Sequence, residues 1–206
     1  MPTEGRSGDR VDRCVLDPDI RPVLAAALRT RHRRQAGTVI VEELGLLRGQ
    51  VRIDVAVVNG SLHGYEIKSG RDSLRRFQAQ VAGYGSVLDY ATAVIAACHL
   101  AKVLEAVPSW WEILVVDECG PAATLRLVRK GRRNPGVQPR ALVELLWADD
   151  AKRLLDARGV LRGLRNAPRA RLWDRVCEVY SGKEIAAAVR GSLKTRADQR
   201  SPRRPE

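Results

Sequence analysis

Residues 51–69 constrain the fold more than any other part of the chain. Val51, Ile53, Val55 and Val57 recur at every second position, and all are β-branched. That is the pattern of a strand with one apolar face. Asn59-Gly60 follows as a strong turn signal. Residues 62–69 then read as the return strand, with Tyr65 and Ile67 on its apolar face. A two-residue loop would pair Val58 with Ser61, an odd sum that turns the two apolar sets to opposite sides. The pattern therefore predicts a three- or five-residue loop, or a bulge with Gly64 as its candidate position. In that register Asp54 and Glu66 share one side, and Lys68, two residues beyond Glu66, joins them.

Two carboxylates and one ammonium in a small patch have a specific chemical use. The carboxylates of Asp54 and Glu66 offer oxygen ligands to a hard divalent cation, Mg²⁺ or Mn²⁺. Such a cation polarises a phosphate and lowers the pKa of a bound water. Lys68 is placed to orient that water and to stabilise charge developing on the phosphate. Charged residues on the solvent face of any hairpin would give the same letters, so the motif needs its context.

That context resembles a known family. Asp54, a turn and then Glu66-Ile67-Lys68 resemble the PD-(D/E)XK signature of the restriction-endonuclease-like nuclease superfamily. Gln80-Val81-Ala82-Gly83-Tyr84 resembles the Q-x-x-x-Y motif of its RecB-type branch, and that spacing puts Gln80 and Tyr84 on one helix face. The motif-bearing part covers residues 38–97. The chain from Ile53-Asp54 to Pro108-Ser109-Trp110-Trp111 is similar to an uncharacterised bacterial branch of the superfamily. The resemblance implies an α/β fold with a restriction-endonuclease-like core, a central mixed β-sheet flanked by helices. It implies a magnesium-dependent nuclease acting on DNA, in repair, restriction or phage defence. It also implies a third metal-binding acid upstream, Glu42 or Glu43, with Glu43 favoured because it directly precedes Leu44-Gly45. Gln80 and Tyr84 would then organise the site. Ile53 stands where the signature has Pro, at a position that varies. The cysteine cluster of the family's iron–sulfur members is absent from the sequence. The rival readings are a non-catalytic nucleic-acid-binding module and a defence-associated interaction protein, each keeping the fold.

The rest of the chain fits one core with a helical extension. Of 206 residues, 45% are hydrophobic but only 4% aromatic, so the core is built from aliphatic side chains. Residues 1–16 are expected to be disordered, residues 17–139 to form the nuclease-like core, residues 140–195 to form a helical extension, and residues 196–206 to form a disordered basic tail. A helix is predicted from Asp17–Asp19 into the basic run 29–34. Residues 38–47 read as a strand or a short helix. A helix over residues 72–84 is expected, capped by Asp72 or Ser73. Strands are predicted at residues 92–97, 112–116 and 124–128, with a helix over residues 100–107. The extension is expected to pack on the core or to mediate homodimerisation.

Lys plus Arg number 36 against 24 acids, a net charge of +12, which favours a polyanionic partner such as DNA. Arg31, Arg33, Arg34, Lys130, Arg132 and Arg133 are candidate phosphate contacts. No apolar run approaches the roughly 20 residues of a membrane span, so a soluble cytoplasmic protein without membrane partners is expected. Cys14, Cys98, Cys119 and Cys177 are scattered and are expected to be buried reduced thiols rather than zinc ligands. His63 reads as a turn or core-edge histidine, His99 as a helix start, and Trp110-Trp111 as packing against the sheet edge.

Overall fold

The computed structural model describes residues 15–117 and 123–200. The order of elements is α1 (Asp17–His32), β1 (Val39–Leu46), β2 (Val51–Val58), β3 (Leu62–Lys68), α2 (Phe77–Val87), β4 (Tyr90–Ala96), α3 (Leu100–Ala106), β5 (Glu112–Asp117), β6 (Thr124–Arg129), α4 (Pro139–Val143), α5 (Ala148–Ala157), α6 (Arg169–Val179) and α7 (Gly182–Arg200). The six strands form one mixed sheet in sequential order. β1–β2, β2–β3 and β5–β6 pair antiparallel, whereas β3–β4 and β4–β5 pair parallel. The two parallel pairs are the ones whose strands are joined through α2 and α3, as parallel pairing demands a crossover. The chain is thus an α/β protein with a central mixed sheet flanked by helices.

The hairpin register follows the apolar pattern. Val58 pairs with Leu62, Val57 with His63, Ala56 with Gly64 and Val55 with Tyr65, leaving the three-residue loop Asn59-Gly60-Ser61. The Asn59 side chain closes that loop by accepting from the Ser61 N–H at 3.0 Å, an Asx turn. Gly64 sits in regular pairing with Ala56 and is not a bulge. Its glycine answers a packing demand, since a Cβ there would lie 2.5 Å from Leu88 Cδ1 and 3.0 Å from Ile53 Cγ1.

The predicted common face of β2 is corrected by the structure. Val55 and Val57 join Tyr65, Ile67, Val94 and Val116 in a core covered by Ile20, Leu24 and Leu28 of α1. Ile53 belongs instead to the larger core on the other side, with Leu46, Phe77, Tyr84 and Trp111, and Val51 packs against that same core. Alternation therefore breaks between Ile53 and Val55, and Asp54 stands at the break. On β1, Glu43 lies between the paired residues Glu42–Val55 and Leu44–Ile53 and has a positive φ of 53°. Both strands are irregular at the same level.

The larger core continues into the C-terminal helices. Leu142, Leu146, Leu155, Leu172, Trp173, Val176, Ile185, Val189 and Leu193 share one cluster with Ile53, Tyr84 and Ile113. The predicted extension is therefore part of the main core. Three further boundaries differ from expectation. α2 begins at Phe77, because the Asp72 carboxylate instead accepts from the Ser69 N–H and hydroxyl, both at 2.7 Å, and makes a turn rather than a cap. α7 continues to Arg200, so residues 196–200 are helical. Val15 is ordered against the smaller core and its carbonyl accepts from the Gly70 N–H at 2.8 Å. The remainder of both expected tails, with Cys14 and Cys119, lies outside the described residues.

Ambiguous residues 38–47 resolve as the strand β1. Trp110 and Trp111 are buried, as expected. Cys98 and Cys177 are free thiols, but Cys98 is exposed rather than buried. Among the described residues no helix is long and apolar enough to cross a membrane.

Gly64→Ala should cost about 1–3 kcal/mol, because the added methyl must displace Leu88 and Ile53 from a closed core. Urea unfolding of the variant against the wild type measures it. Equal midpoints would mean that Leu88 yields freely and that the close approach does not select glycine.

Candidate functional site

The site forms where the β2–β3 ladder stops. The last pair of the ladder is Val55–Tyr65. One residue further, the Asp54 side chain does what a β2 carbonyl would do in a continued ladder. Its Oδ2 accepts from the Ile67 N–H at 2.7 Å. This anchors the carboxylate beside the β3 residues Glu66 and Lys68.

Glu66 is only 1% exposed, and every donor near it comes from a residue singled out by the sequence motifs. Its Oε1 accepts from Lys68 Nζ at 2.6 Å and from Gln80 Nε2 at 3.0 Å. Its Oε2 lies 2.7 Å from the Tyr84 hydroxyl. Gln80 is tied further, its Oε1 accepting from Lys68 Nζ at 3.3 Å and its Nε2 donating to Tyr84 Oη at 3.2 Å. Gln80 and Tyr84 lie one turn apart on α2, so one helix face delivers both to the carboxylate. Helix and strand can come this close because Gly83 of α2 packs on Val51, where a Cβ would meet Val51 Cγ2 at 2.9 Å.

Burial raises the pKa of Glu66, and the charge of Asp54 raises it further. Lys68 and the Tyr84 hydroxyl oppose the shift. Burial also raises the pKa of Asp54, opposed by the Ile67 N–H, Lys68 and Arg21, while Glu43 adds to the rise. Desolvation and like charge both disfavour two carboxylates side by side. Tyr84 is pushed strongly upward by burial and by Glu66, so it remains a phenol. Its hydroxyl also lies 2.6 Å from the Arg52 carbonyl. One phenolic proton cannot serve both acceptors fully. A proton on Glu66 would donate to Tyr84 Oη and leave the phenol to donate to Arg52, in keeping with the raised Glu66 pKa.

Glu43 is the upstream acid whose charge reaches Asp54, which separates it from Glu42. It is held in ion pairs, 2.6 Å from Arg52 Nε and 3.4 Å from Arg21 Nη2. Arg21 of α1 also stands 3.9 Å from Asp54 Oδ1. The sequence reading missed Arg21 because it lies in a helix read only for its apolar stripe. Its one signal was a basic residue four positions after Asp17, which it pairs at 2.7 Å. The left-handed backbone at Glu43 costs on the order of 1–3 kcal/mol, and such outliers gather at functional sites. Among the described residues no three His, Cys, Asp or Glu side chains are gathered as a metal-holding group.

The other candidates fall elsewhere. His63 lies at the opposite end of β3, pairing with Tyr90, and burial beside Arg31 and His32 lowers its pKa to about 3. His99 caps α3 and bonds the Ser69 carbonyl at 2.8 Å. Arg31 pairs with Glu112, Arg132 with Ser109 and Arg133 with Asp89. Each of those three arginines thus has a partner within the chain. Arg33, Arg34 and Lys130 are exposed.

The family model described as Bacteriophage P4 protein cII matches residues 15–203. Protein cII of Enterobacteria phage P4 is 27% identical over 121 residues, covering 59% of this chain and 46% of that protein. The chain therefore matches less than half the length of that relative. Among solved structures, the SPO1766 protein of unknown function from Silicibacter pomeroyi is 26% identical, with 69% of this chain and 94% of that one covered and a TM-score of 0.40.

The raised pKa of Glu66 has a definite sign in stability. The folded protein keeps this proton over a pH window in which the unfolded chain has lost it. Stability from Glu66 is therefore fullest below the ordinary carboxylate range and is lost as pH rises through the raised value. Glu66→Gln removes this dependence. Thermal melts from about pH 4 to about pH 8 should show a shallower decline for the variant than for the wild type. Equal slopes would mean that Glu66 does not carry the shift.

Proposed function

This chain belongs to the Bacteriophage P4 protein cII family, and within that family we propose that it is a metal-dependent nuclease that hydrolyses DNA phosphodiester bonds with a PD-(D/E)XK site. One observation carries the reading. Glu66 is almost fully buried, yet its carboxylate is gripped by Lys68, Gln80 and Tyr84 and sits beside a second desolvated carboxylate, Asp54. Burial of Glu66 and the nearby charge of Asp54 disfavour ionising both acids together, and a cation held between them would offset that repulsion.

The donors suit magnesium. Mg²⁺ takes hard oxygen ligands, is satisfied by one or two protein carboxylates and keeps several waters. Asp54 and Glu66 would hold it, with Glu43 assisting once its pairs with Arg21 and Arg52 loosen. When bound, the ion supplies polarisation of the phosphate and a more acidic water. Lys68 Nζ, held by Glu66 and Gln80, donates to the oxygen of the attacking water or to a phosphate oxygen as negative charge grows there. Attack of the water oxygen on phosphorus breaks the bond to the leaving sugar oxygen, and the water's proton passes to solvent. Gln80 and Tyr84 fix the rotamer of Glu66, so they position the site without touching the reacting atoms. The net charge of +12 favours DNA as the polyanion.

A second reading is a nucleic-acid-binding module that keeps the fold without cutting. The ion pairs of Glu43 and the lack of a three-acid cluster among the described residues favour it.

Cleavage of plasmid and oligonucleotide DNA with Mg²⁺ or Mn²⁺ decides between the two. Wild type should cut, and Asp54→Ala and Lys68→Ala should each lose at least about 100-fold in rate. Mg²⁺ should also raise the melting temperature of the wild type but not of Asp54→Ala. Equal cutting by all three proteins would reveal a contaminant and end the mechanism. Salt-sensitive binding without cutting would favour the binding module.

A further inference from the structure

We propose that the groove between β1, Trp147 and the C-terminal part of α7 holds an unpaired nucleotide of the nucleic-acid strand, its base stacked against Trp147. The proposal rests on the nucleic-acid reading above and adds where a strand leaves the site and in what form. The groove has a volume of about 550 Å³ and is lined by Ile40, Glu42, Glu43, Trp147, Leu193 and Arg196, among others. That volume is in the range of small-molecule sites.

Its apolar lining is unusual for this molecule. Trp110, Trp111 and Trp173 are buried, whereas Trp147 is 52% exposed. Ile40 is 42% exposed and lines the same groove. Among the described residues the other exposed large hydrophobics, Leu104 and Leu127, lie on α3 and β6. Two of these four therefore meet in one concave surface, and such meetings mark binding surfaces more often than scattered exposure does.

The indole is also held in place. Trp147 precedes α5, and its backbone N–H donates to Asp150 Oδ2 at 3.1 Å, which fixes the main chain that carries the ring. The Arg196 guanidinium stacks over the ring at 4.7 Å from its centroid and donates to the Leu145 carbonyl at 2.8 Å. A clamped ring loses little freedom on binding, and aromatic platforms of this kind stack bases regardless of sequence. Only an unpaired base can offer its face, since a duplex keeps its bases stacked on one another.

The groove's place beside Glu43 and the basic side chains of α7 favour nucleic acid as the occupant. The groove reaches Glu43, which lies across β1–β2 from Asp54. It thus borders the proposed cutting site through Glu43, while Asp54, Glu66 and Lys68 themselves do not line it. Arg196 lines its far side, and Lys194 of α7 approaches the start of β1, with Nζ 3.8 Å from the Cβ position of Gly37. The acids of the groove, Glu42 and Glu43, lie on the β1 side next to Asp54. A strand would thus run from the acidic end, where a cation belongs, to an aromatic and basic end.

The test compares wild type, Trp147→Ala and Trp147→Phe, all full length, titrated in EDTA with a single-stranded oligonucleotide and a blunt duplex. Tryptophan emission should be quenched by the single strand, since Trp147 is the exposed indole among the four. Trp147→Ala should bind the single strand about tenfold more weakly, with Trp147→Phe between them and duplex affinity unchanged. Melting temperatures verify that both variants fold. Equal single-strand affinity in all three overturns the proposal. So does a change of sedimentation in Trp147→Ala without a change in affinity, which would make the groove a contact between copies of the chain. Cleavage by wild type with Mg²⁺, run in parallel, separates the two ideas. Cutting without a Trp147 effect sinks the groove alone. Trp147-dependent binding without cutting sinks the nuclease alone, and neither binding nor cutting sinks both.

Discussion

β2 serves two cores, and this constraint organises the rest of the molecule. A strand that alternated regularly would send Val51, Ile53, Val55 and Val57 to one side. Here the last two face α1 and the first two face α2 and the C-terminal helices. The change of side at Asp54 ends the β2–β3 ladder, and the freed Ile67 N–H is satisfied by the Asp54 carboxylate. A buried donor left without a partner would cost about 1–3 kcal/mol, so the aspartate is a structural necessity as well as a chemical group. The left-handed backbone of Glu43 on β1 is the matching distortion on the neighbouring strand.

Glu66 shows how such a site tolerates buried charge. Its carboxylate oxygens meet Lys68, Gln80 and Tyr84, and Tyr84 is in turn fixed to the Arg52 carbonyl. The network connects β3 to α2 and back to β2. Satisfied networks of this kind are rigid, and removing one member leaves the others exposed to the full desolvation cost. The same network that restrains the side chains also keeps the two acids close enough for Asp54 to raise the Glu66 pKa.

Much of this was legible before any coordinates. Val55, Val57, Tyr65 and Ile67 announced a shared face, and parity left a three- or five-residue loop or a bulge, of which the three-residue loop is found. Gln80 and Tyr84, four residues apart, had to project together. What stayed hidden depended on contacts distant in sequence. The side change at Asp54 arises because α1 and α2 cover different ends of one strand, and no local pattern states which helix covers which end. Gly64 suggested a bulge because its packing partner, Leu88, lies far along the chain. The start of α2 is not legible from Asp72, which bonds back to Ser69 in a turn that competes with capping for the same residue type. Arg21 and Trp147 gave almost no local signal, since their importance lies in what α1 and α7 bring near them.

The continuous cluster from Ile53 through Trp111 to Leu193 has a consequence for how the protein comes apart. Separate domains open independently because few contacts cross between them. Here the last helices and the central strands bury the same apolar surface, so fraying of α7 uncovers side chains that also support β2. The shared cluster couples the last helix to the central sheet, so opening of α7 is not confined to the end of the chain. No seam in the buried cluster separates the sheet from the C-terminal helices, so a cut or insertion between them would expose apolar surface on both sides.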